Sequence, residues 1–196
     1  MYNILAIKNL SEEDKIKLNE LINSGGSQEI TLNFLEERIN ESLDNLLKIR
    51  ESYINLSESV DKFTHIYDKY MILEKGYNLR TSIINEHRDY IKSNDVYNDE
   101  KCKKMLDKMF EDEKNKMIEL KESLNDLKES YDVKINSTNI LIEDCKNSFN
   151  LEIKKLLEYR DILFYLLKLF RYVIHSTRIN KLLSSINKIK YEHVDG

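Results

Sequence analysis

The chain has 196 residues, no Pro, no Trp and only four Gly, which excludes a sheet protein with many tight turns. Charged residues make up 34% of it and the formal net charge is -4, a composition typical of helices with a solvated outer face and one buried side. The charge is uneven, because residues 162–191 hold six Lys or Arg and no acid.

The first predicted element is a short N-terminal helical segment over residues 1–24. Ser11 is a favourable N-cap, and three acidic residues follow it at the positive end of the helix dipole. The small residues after position 23 include two consecutive glycines, which suit the end of a helix. We therefore assign residues 25–30 to a Gly/Ser linker.

A heptad repeat that starts at Leu32 predicts one long helix over residues 31–92. Apolar residues occupy eleven of the twelve a and d positions in six heptads, and only Ser42 interrupts them. Such a stripe must be covered by neighbouring helices. The predicted interaction seam of this helix comprises Leu32, Leu35, Ile39, Leu46, Ile49, Leu56, Val60 and Phe63.

Residues 93–98 are predicted to form a turn, because Asn and Asp side chains bond their own backbone in turns. A second apolar pattern then predicts a helix over 99–191, followed by a tail at 192–196. The pattern shifts by four residues after Tyr131, a stutter that a continuous helix tolerates. The predicted fold is therefore all-α, an elongated antiparallel helical hairpin or coiled coil with the short N-terminal helix packed at its base. The seam of the second helix includes Leu163, Leu166, Leu167 and Phe170.

Residues 162–191 form a cationic stretch with apolar residues at helical spacing. The apolar side could dock on protein, as amphipathic helices commonly do, or the whole stretch could bind an anionic membrane surface. Nucleic acid is disfavoured, because few aromatic residues interleave with the basic ones. The predicted basic surface comprises Lys168, Arg171, Arg178, Lys181, Lys188 and Lys190.

Motifs that carry catalytic chemistry are missing from the sequence. Four glycines cannot build a Gly-rich phosphate loop or a Gly-x-Ser-x-Gly elbow, and none of the four His has a second His at i+4. Cys102 and Cys145 lie about 65 Å apart if they share one straight helix, so they cannot pair there. We expect no enzyme, no cofactor, no metal site and no small-molecule substrate.

The N-terminus lacks the pattern of a secretory signal, and no stretch reaches the ~20 apolar residues of a membrane span. The sequence therefore predicts an intracellular protein, cytoplasmic or nuclear, that is not secreted and has no transmembrane segment.

Several apolar residues outside the seam, such as Leu43, Leu47 and Ile66, would be buried only in a bundle of three or four helices. We therefore expect a helical partner, either a second copy of the chain or a different subunit. The predicted function is that of a non-enzymatic coiled-coil structural or scaffolding subunit of a multi-protein complex. The alternative is a peripheral membrane-binding or tethering protein that uses residues 162–191.

Overall fold

The structure is a computed structural model that describes residues 3–189, with Val96 described in its backbone alone. The described chain is helical and contains no strand. The predicted all-α hairpin with a short N-terminal helix is thereby confirmed. Within residues 3–189 the α-helices are α1 (Glu12–Asn23), α2 (Gln28–Lys92), α3 (Glu100–Leu167) and α4 (Ser176–Ile189), and short 3-10 segments occur at Ile4–Ala6, Asp95–Asn98 and Phe170–His175.

Helix α1 begins and ends where its local sequence predicts. The Ser11 hydroxyl accepts a hydrogen bond from the backbone N–H of Asp14 at 3.1 Å, so it is the N-cap. Beyond the last turn, Gly25 has a φ of 80°, a left-handed conformation in which a side chain would be strained. The helix therefore stops before its Gly-Gly pair. The predicted linker 25–30 is wrong for its last three residues, because α2 begins at Gln28 and the Ser27 carbonyl already accepts from the Thr31 N–H at 3.0 Å.

The reversal between α2 and α3 also lies where the polar cluster predicts it. Helix α2 ends at Lys92, and the Asp99 carboxylate accepts a hydrogen bond from the backbone N–H of Cys102 at 3.3 Å, at the start of α3. Helix α3 then continues through the stutter after Tyr131 without a break. Tyr67 of α2 stacks on Tyr131 with ring centroids 4.9 Å apart, so the two helices are in contact there.

The predicted helix over 99–191 is wrong in its continuity, because α3 ends at Leu167. Leu169 adopts an extended conformation with ψ of 121°, a 3-10 segment follows, and α4 is a separate helix. No Gly, Pro or polar cluster marks this break in the sequence. The reason lies in packing, because the break lets the apolar side of α4 return to the bundle. Residues 190 and 191 and the predicted tail 192–196 lie outside the described residues.

The described chain divides into two compact units. The first comprises residues 3–55 and 142–189, where α1 and α4 pack with parts of α2 and α3 around one apolar core. The chain itself thus supplies the third and fourth helices of this unit. The second comprises Leu56–Leu141 and contains the two antiparallel segments of α2 and α3, joined by the 3-10 segment Asp95–Asn98. Among the side chains that the structure describes in this unit, the buried apolar residues are Tyr70, Met117 and Leu124.

Candidate interaction surfaces

In the first unit, the predicted interaction seam lies in the core. Leu32, Leu35, Ile39 and Leu46 of α2 are buried, and Ile49 is half-buried. They belong to the unit that also buries residues of α1 and α4. This part of the seam is covered by the chain's own helices.

The rest of the α2 seam lies in the second unit, where Leu56, Val60 and Phe63 are half-buried. The a and d positions that follow, down to Ile91, are also less exposed than their neighbours. The heptad prediction therefore identified the side of α2 that is covered, but here only one helix covers it.

The predicted seam at the end of α3 is partly in the core. Leu163 and Leu166 are buried, and Leu167 packs against the core from its edge. Phe170, in contrast, is 92% exposed, because it lies past the end of α3 in the 3-10 segment. Phe170 therefore lies outside the helix on which its seam position was predicted, and a heptad count does not apply beyond the end of a helix.

The 3-10 segment Phe170–His175 forms a corner with three exposed apolar side chains. Phe170 and Ile174 are 92% and 83% exposed, and Val173 is more than half exposed. Lys168, two residues before Phe170, is exposed as well. Tyr172 is fully buried and anchors the corner to the core, so the three apolar side chains are held outward by a fixed backbone.

Two residues of the predicted basic surface, Arg171 and Arg178, make hydrogen bonds within the chain. Arg178 of α4 donates to Glu29 at 2.9 Å, to Asn33 at 2.7 Å and to Glu36 at 3.0 Å, all on α2. The hydrogen bond to Glu36 is the main cause that raises the pKa of Arg178. Arg171 donates to the backbone carbonyl of Ile22. Both arginines therefore fasten the C-terminal segment to the start of the chain.

The remaining basic residues are four lysines. Lys168, Lys181 and Lys188 are exposed, and Lys190 lies outside the described residues. The apolar side of α4, with Ile179, Leu182, Leu183 and Ile186, is buried in the core of the first unit. This arrangement supports the interpretation in which the amphipathic stretch docks on protein.

A polar cleft of about 300 Å³ in the first unit accounts for Ser42, the one interruption of the heptad seam. Ser42 is buried there and lines the cleft together with Asp14, Arg38, Glu152 and Tyr159. The guanidinium of Arg38 lies 2.9 Å from Asp14, and the Tyr159 hydroxyl donates to Asp14 at 3.3 Å. Burial is the largest of the effects that raise the pKa of Tyr159. These contacts tie α1 to α2 and α3.

Two glutamates of α3 were not identified by the sequence patterns. Glu158 accepts hydrogen bonds from the Asn9 backbone N–H at 3.1 Å and from its side-chain amide at 2.6 Å, and so holds the N-terminal segment. Glu152 is buried at a seam position, where one oxygen binds Lys155 at 2.7 Å and the other meets no partner among the described atoms. An acidic residue two heptads before Leu166, within an apolar repeat, is the sequence signal that could have found Glu152.

In the second unit, α2 exposes a further set of apolar residues that the heptad seam does not include. Ile72, Leu79, Ile83 and Tyr90 are 50% to 70% exposed. Their spacings of seven, four and seven residues bring them to one side of the helix, roughly opposite the seam. We call these four residues the outer stripe.

Helix α3 also exposes apolar residues in the second unit. Met105, Met109, Leu120 and Leu127 recur at spacings of four, eleven and seven, which align them along one side of α3. Leu120 and Leu127 are the least exposed of the four, at 43% and 36%. We call these four residues the α3 edge. In this unit, the packing of α2 against α3 therefore leaves part of the apolar surface of both helices exposed.

Among residues 3–189, no three His, Cys, Asp or Glu side chains are arranged so that they could hold a metal ion. Within the same residues, no helix has an apolar stretch long enough to cross a bilayer. Comparisons with protein-family models, curated proteins and solved structures find no match to this chain.

Proposed function

We propose that the protein is a non-enzymatic helical structural subunit that assembles with other helical chains through its second unit. The observation that carries the proposal is the contrast between the two units. The first covers its seam with four helices, whereas the second has two helices and leaves the outer stripe and the α3 edge in water.

Exposed apolar side chains are common on protein surfaces when they are scattered, but contiguous rows of them mark interaction sites. Covering the half-exposed side chains of one such row gains about 25 cal/mol for each Å² of apolar surface removed from water. A helix laid along the row meets side chains at its own repeat, which is how helices recognise grooves and stripes in other proteins. The geometry therefore favours a helical partner.

The proposal is tested by affinity recovery of the tagged full-length chain from its native source. The wild type is compared with a M109D/L120D variant, which introduces two charges on the α3 edge. The matched control is N115D/N125D, which adds the same charges at exposed polar positions on other sides of α3.

We expect a defined set of helical chains to be recovered with the wild type and the control but lost with M109D/L120D, since an unpaired charge is costly to bury. Recovery of the same chains with all three proteins, or of none with any, contradicts the proposal. Circular dichroism of each variant shows whether its helicity is preserved.

A second candidate function is binding to an anionic membrane surface, and the corner at Phe170, Val173 and Ile174 favours it. Exposed large apolar side chains on a fixed projection next to Lys168 suit shallow insertion between lipid headgroups. In this proposal the corner replaces the apolar side of α4, which is buried.

Flotation with vesicles that contain phosphatidylserine, and with neutral vesicles, tests this second candidate. The wild type should float with the anionic vesicles at low salt, and an F170S/I174S variant should not. The control N180S/N187S changes exposed residues of α4 and should float like the wild type. Failure of the wild type to bind at low salt removes the membrane proposal.

A further inference from the structure

We propose that a second copy of this chain docks antiparallel along the outer stripe of α2, about a two-fold axis level with residue 81. The inference rests on the proposed function, and it names the partner that binds one of the apolar surfaces of the second unit. It is carried by the symmetry of the stripe, by an unexplained glycine within it and by the charges on one of its edges.

The outer stripe reads the same from either end. The spacings Ile72 to Leu79, Leu79 to Ile83 and Ile83 to Tyr90 are seven, four and seven residues. An antiparallel copy centred at residue 81 therefore places Ile72 against Tyr90 of the other copy, and Leu79 against Ile83 of the other copy. A two-fold interface must be self-complementary in this way.

Gly76 lies beside the stripe, in the interior of α2, and the chain's own packing does not require it. A Cβ at this position would meet no atom within 4 Å, and its φ is not in the left-handed region. Glycine costs stability within a helix, so its use here calls for another reason. A glycine on an exposed helical side lets a second helix approach the backbone closely.

The charged residues at the edge of the stripe complement each other under the same symmetry. Lys75 and Glu86 are both exposed and lie on the same side of the stripe. In an antiparallel pair, residues on one edge face the same edge of the other copy. Lys75 then lies beside Glu86 of the other copy, and the two-fold axis generates this pair twice. Arg80, on the opposite edge, is already paired with Glu113 of α3 at 2.5 Å.

Disulfide trapping tests the arrangement directly. The variant K75C/E86C is made in a full-length chain whose native cysteines are replaced, C102S/C145S. Eleven residues separate the two new thiols, about 16 Å along the helix, so they cannot pair within one chain. Mild oxidation should give a covalent dimer. The control N78C/D89C has the same separation but lies away from the stripe, and should stay monomeric.

Sedimentation equilibrium measures whether the charges act as proposed. We expect K75E and E86K each to weaken self-association on the order of tenfold, since each change disrupts two ion pairs. The double variant K75E/E86K restores the pairs and should return to within about threefold of the wild type. L79D should weaken the dimer at least a hundredfold, while N78D, which adds the same charge next to it, should leave it unchanged.

Two results would overturn the inference. One is a wild-type chain that stays monomeric in sedimentation, and the other is a dimer in which I72C cross-links to itself, which indicates a parallel pair. Neither affects the proposed function, because recovery of other helical chains through the α3 edge is measured separately. Conversely, a dimer with the expected cross-links and no other recovered chain supports this inference and contradicts assembly with other subunits.

Discussion

Tyr159 lies where α1, α2 and α3 meet, and its hydroxyl donates to Asp14. The heptad pattern alone does not identify this contact, because it joins residues that are 145 positions apart. Burial disfavours the charged phenolate, and the neighbouring Asp14 carboxylate disfavours it further. Both effects raise the pKa of Tyr159 above its ordinary value of about 10.

This shift gives a pH dependence of stability. The folded state favours the neutral phenol, so the contribution of Tyr159 to stability is complete below about pH 10 and is lost as the pH rises above it. We expect the free energy of unfolding to fall more between pH 9 and pH 11 in the wild type than in Y159F, measured by urea denaturation. The control Y90F changes an exposed tyrosine and should follow the wild type.

Substitution of glycine by alanine should change the stability of the protein in opposite directions at Gly76 and Gly25. G76A should raise the free energy of unfolding by about 0.5–1 kcal/mol in dilute solution, because alanine is the better helix former and its Cβ meets open space. G25A should lower it by roughly 1 kcal/mol, because Gly25 has a φ of 80°. Thermal denaturation followed by circular dichroism measures both. Equal changes in melting temperature, in the same direction for G76A and G25A, would contradict the different roles of the two glycines.

At the scale of elements, the end of α3 shows how packing determines a helix boundary. Neither Lys168 nor Leu169 breaks helices by its own preference. An uninterrupted helix would carry Ile179, Leu182, Leu183 and Ile186 away from the residues that bury them in the first unit. Burying four such side chains gains several kcal/mol, which exceeds the cost of interrupting a few backbone hydrogen bonds.

The packing of α4 predicts a strong effect of a charge on its buried side. I179D should destabilise the protein by several kcal/mol and release α4, because Ile179 is fully buried and an aspartate there has no partner. N180D adds the same charge to the exposed side of α4 and should change stability by less than about 0.5 kcal/mol. Urea denaturation and proteolysis within α4 measure the two effects. Similar stability of both variants would show that α4 does not pack as described.

At the scale of the whole molecule, the two units differ in how much they bury. The first has a core to which all four helices contribute, including Leu18, Leu35, Leu163 and Ile179. The second buries three apolar residues among its described side chains, and the other seam positions of α2 in it are half-buried. Local stability follows buried contacts, so the units should open with different free energies.

Hydrogen exchange measures this difference. We expect backbone amides of residues 32–46 and 156–166 in the first unit to exchange at least tenfold more slowly than those of 72–90 in the second. The comparison is made at low protein concentration, where self-association through the outer stripe is minimal. Raising the concentration should slow exchange over 72–90 if the stripe is then covered. Equal protection of the amides in both units from hydrogen exchange would contradict the expected difference in local stability.

Local chemistry and periodicity determined much of this protein. The Ser11 cap, the Gly25 stop and the turn after Lys92 depend on neighbouring residues, and the heptad positions of α2 identify its covered side. These features were readable because a cap or an apolar stripe acts through contacts within a few residues or one helical repeat. The sequence shows Ser42 only as an interruption of the heptad pattern. It does not predict the polar cleft that Ser42 lines.

Only the tertiary structure decided the break after Leu167, the return of α4 to α2 and the exposure of Phe170. A turn without Gly, Pro or polar residues has no local signal, because distant burial stabilises it. The same holds for the contacts of Arg178 and Glu158, which join residues more than 140 positions apart. Sequence periodicity shows which side of a helix requires cover, whereas the three-dimensional fold determines which helix provides it.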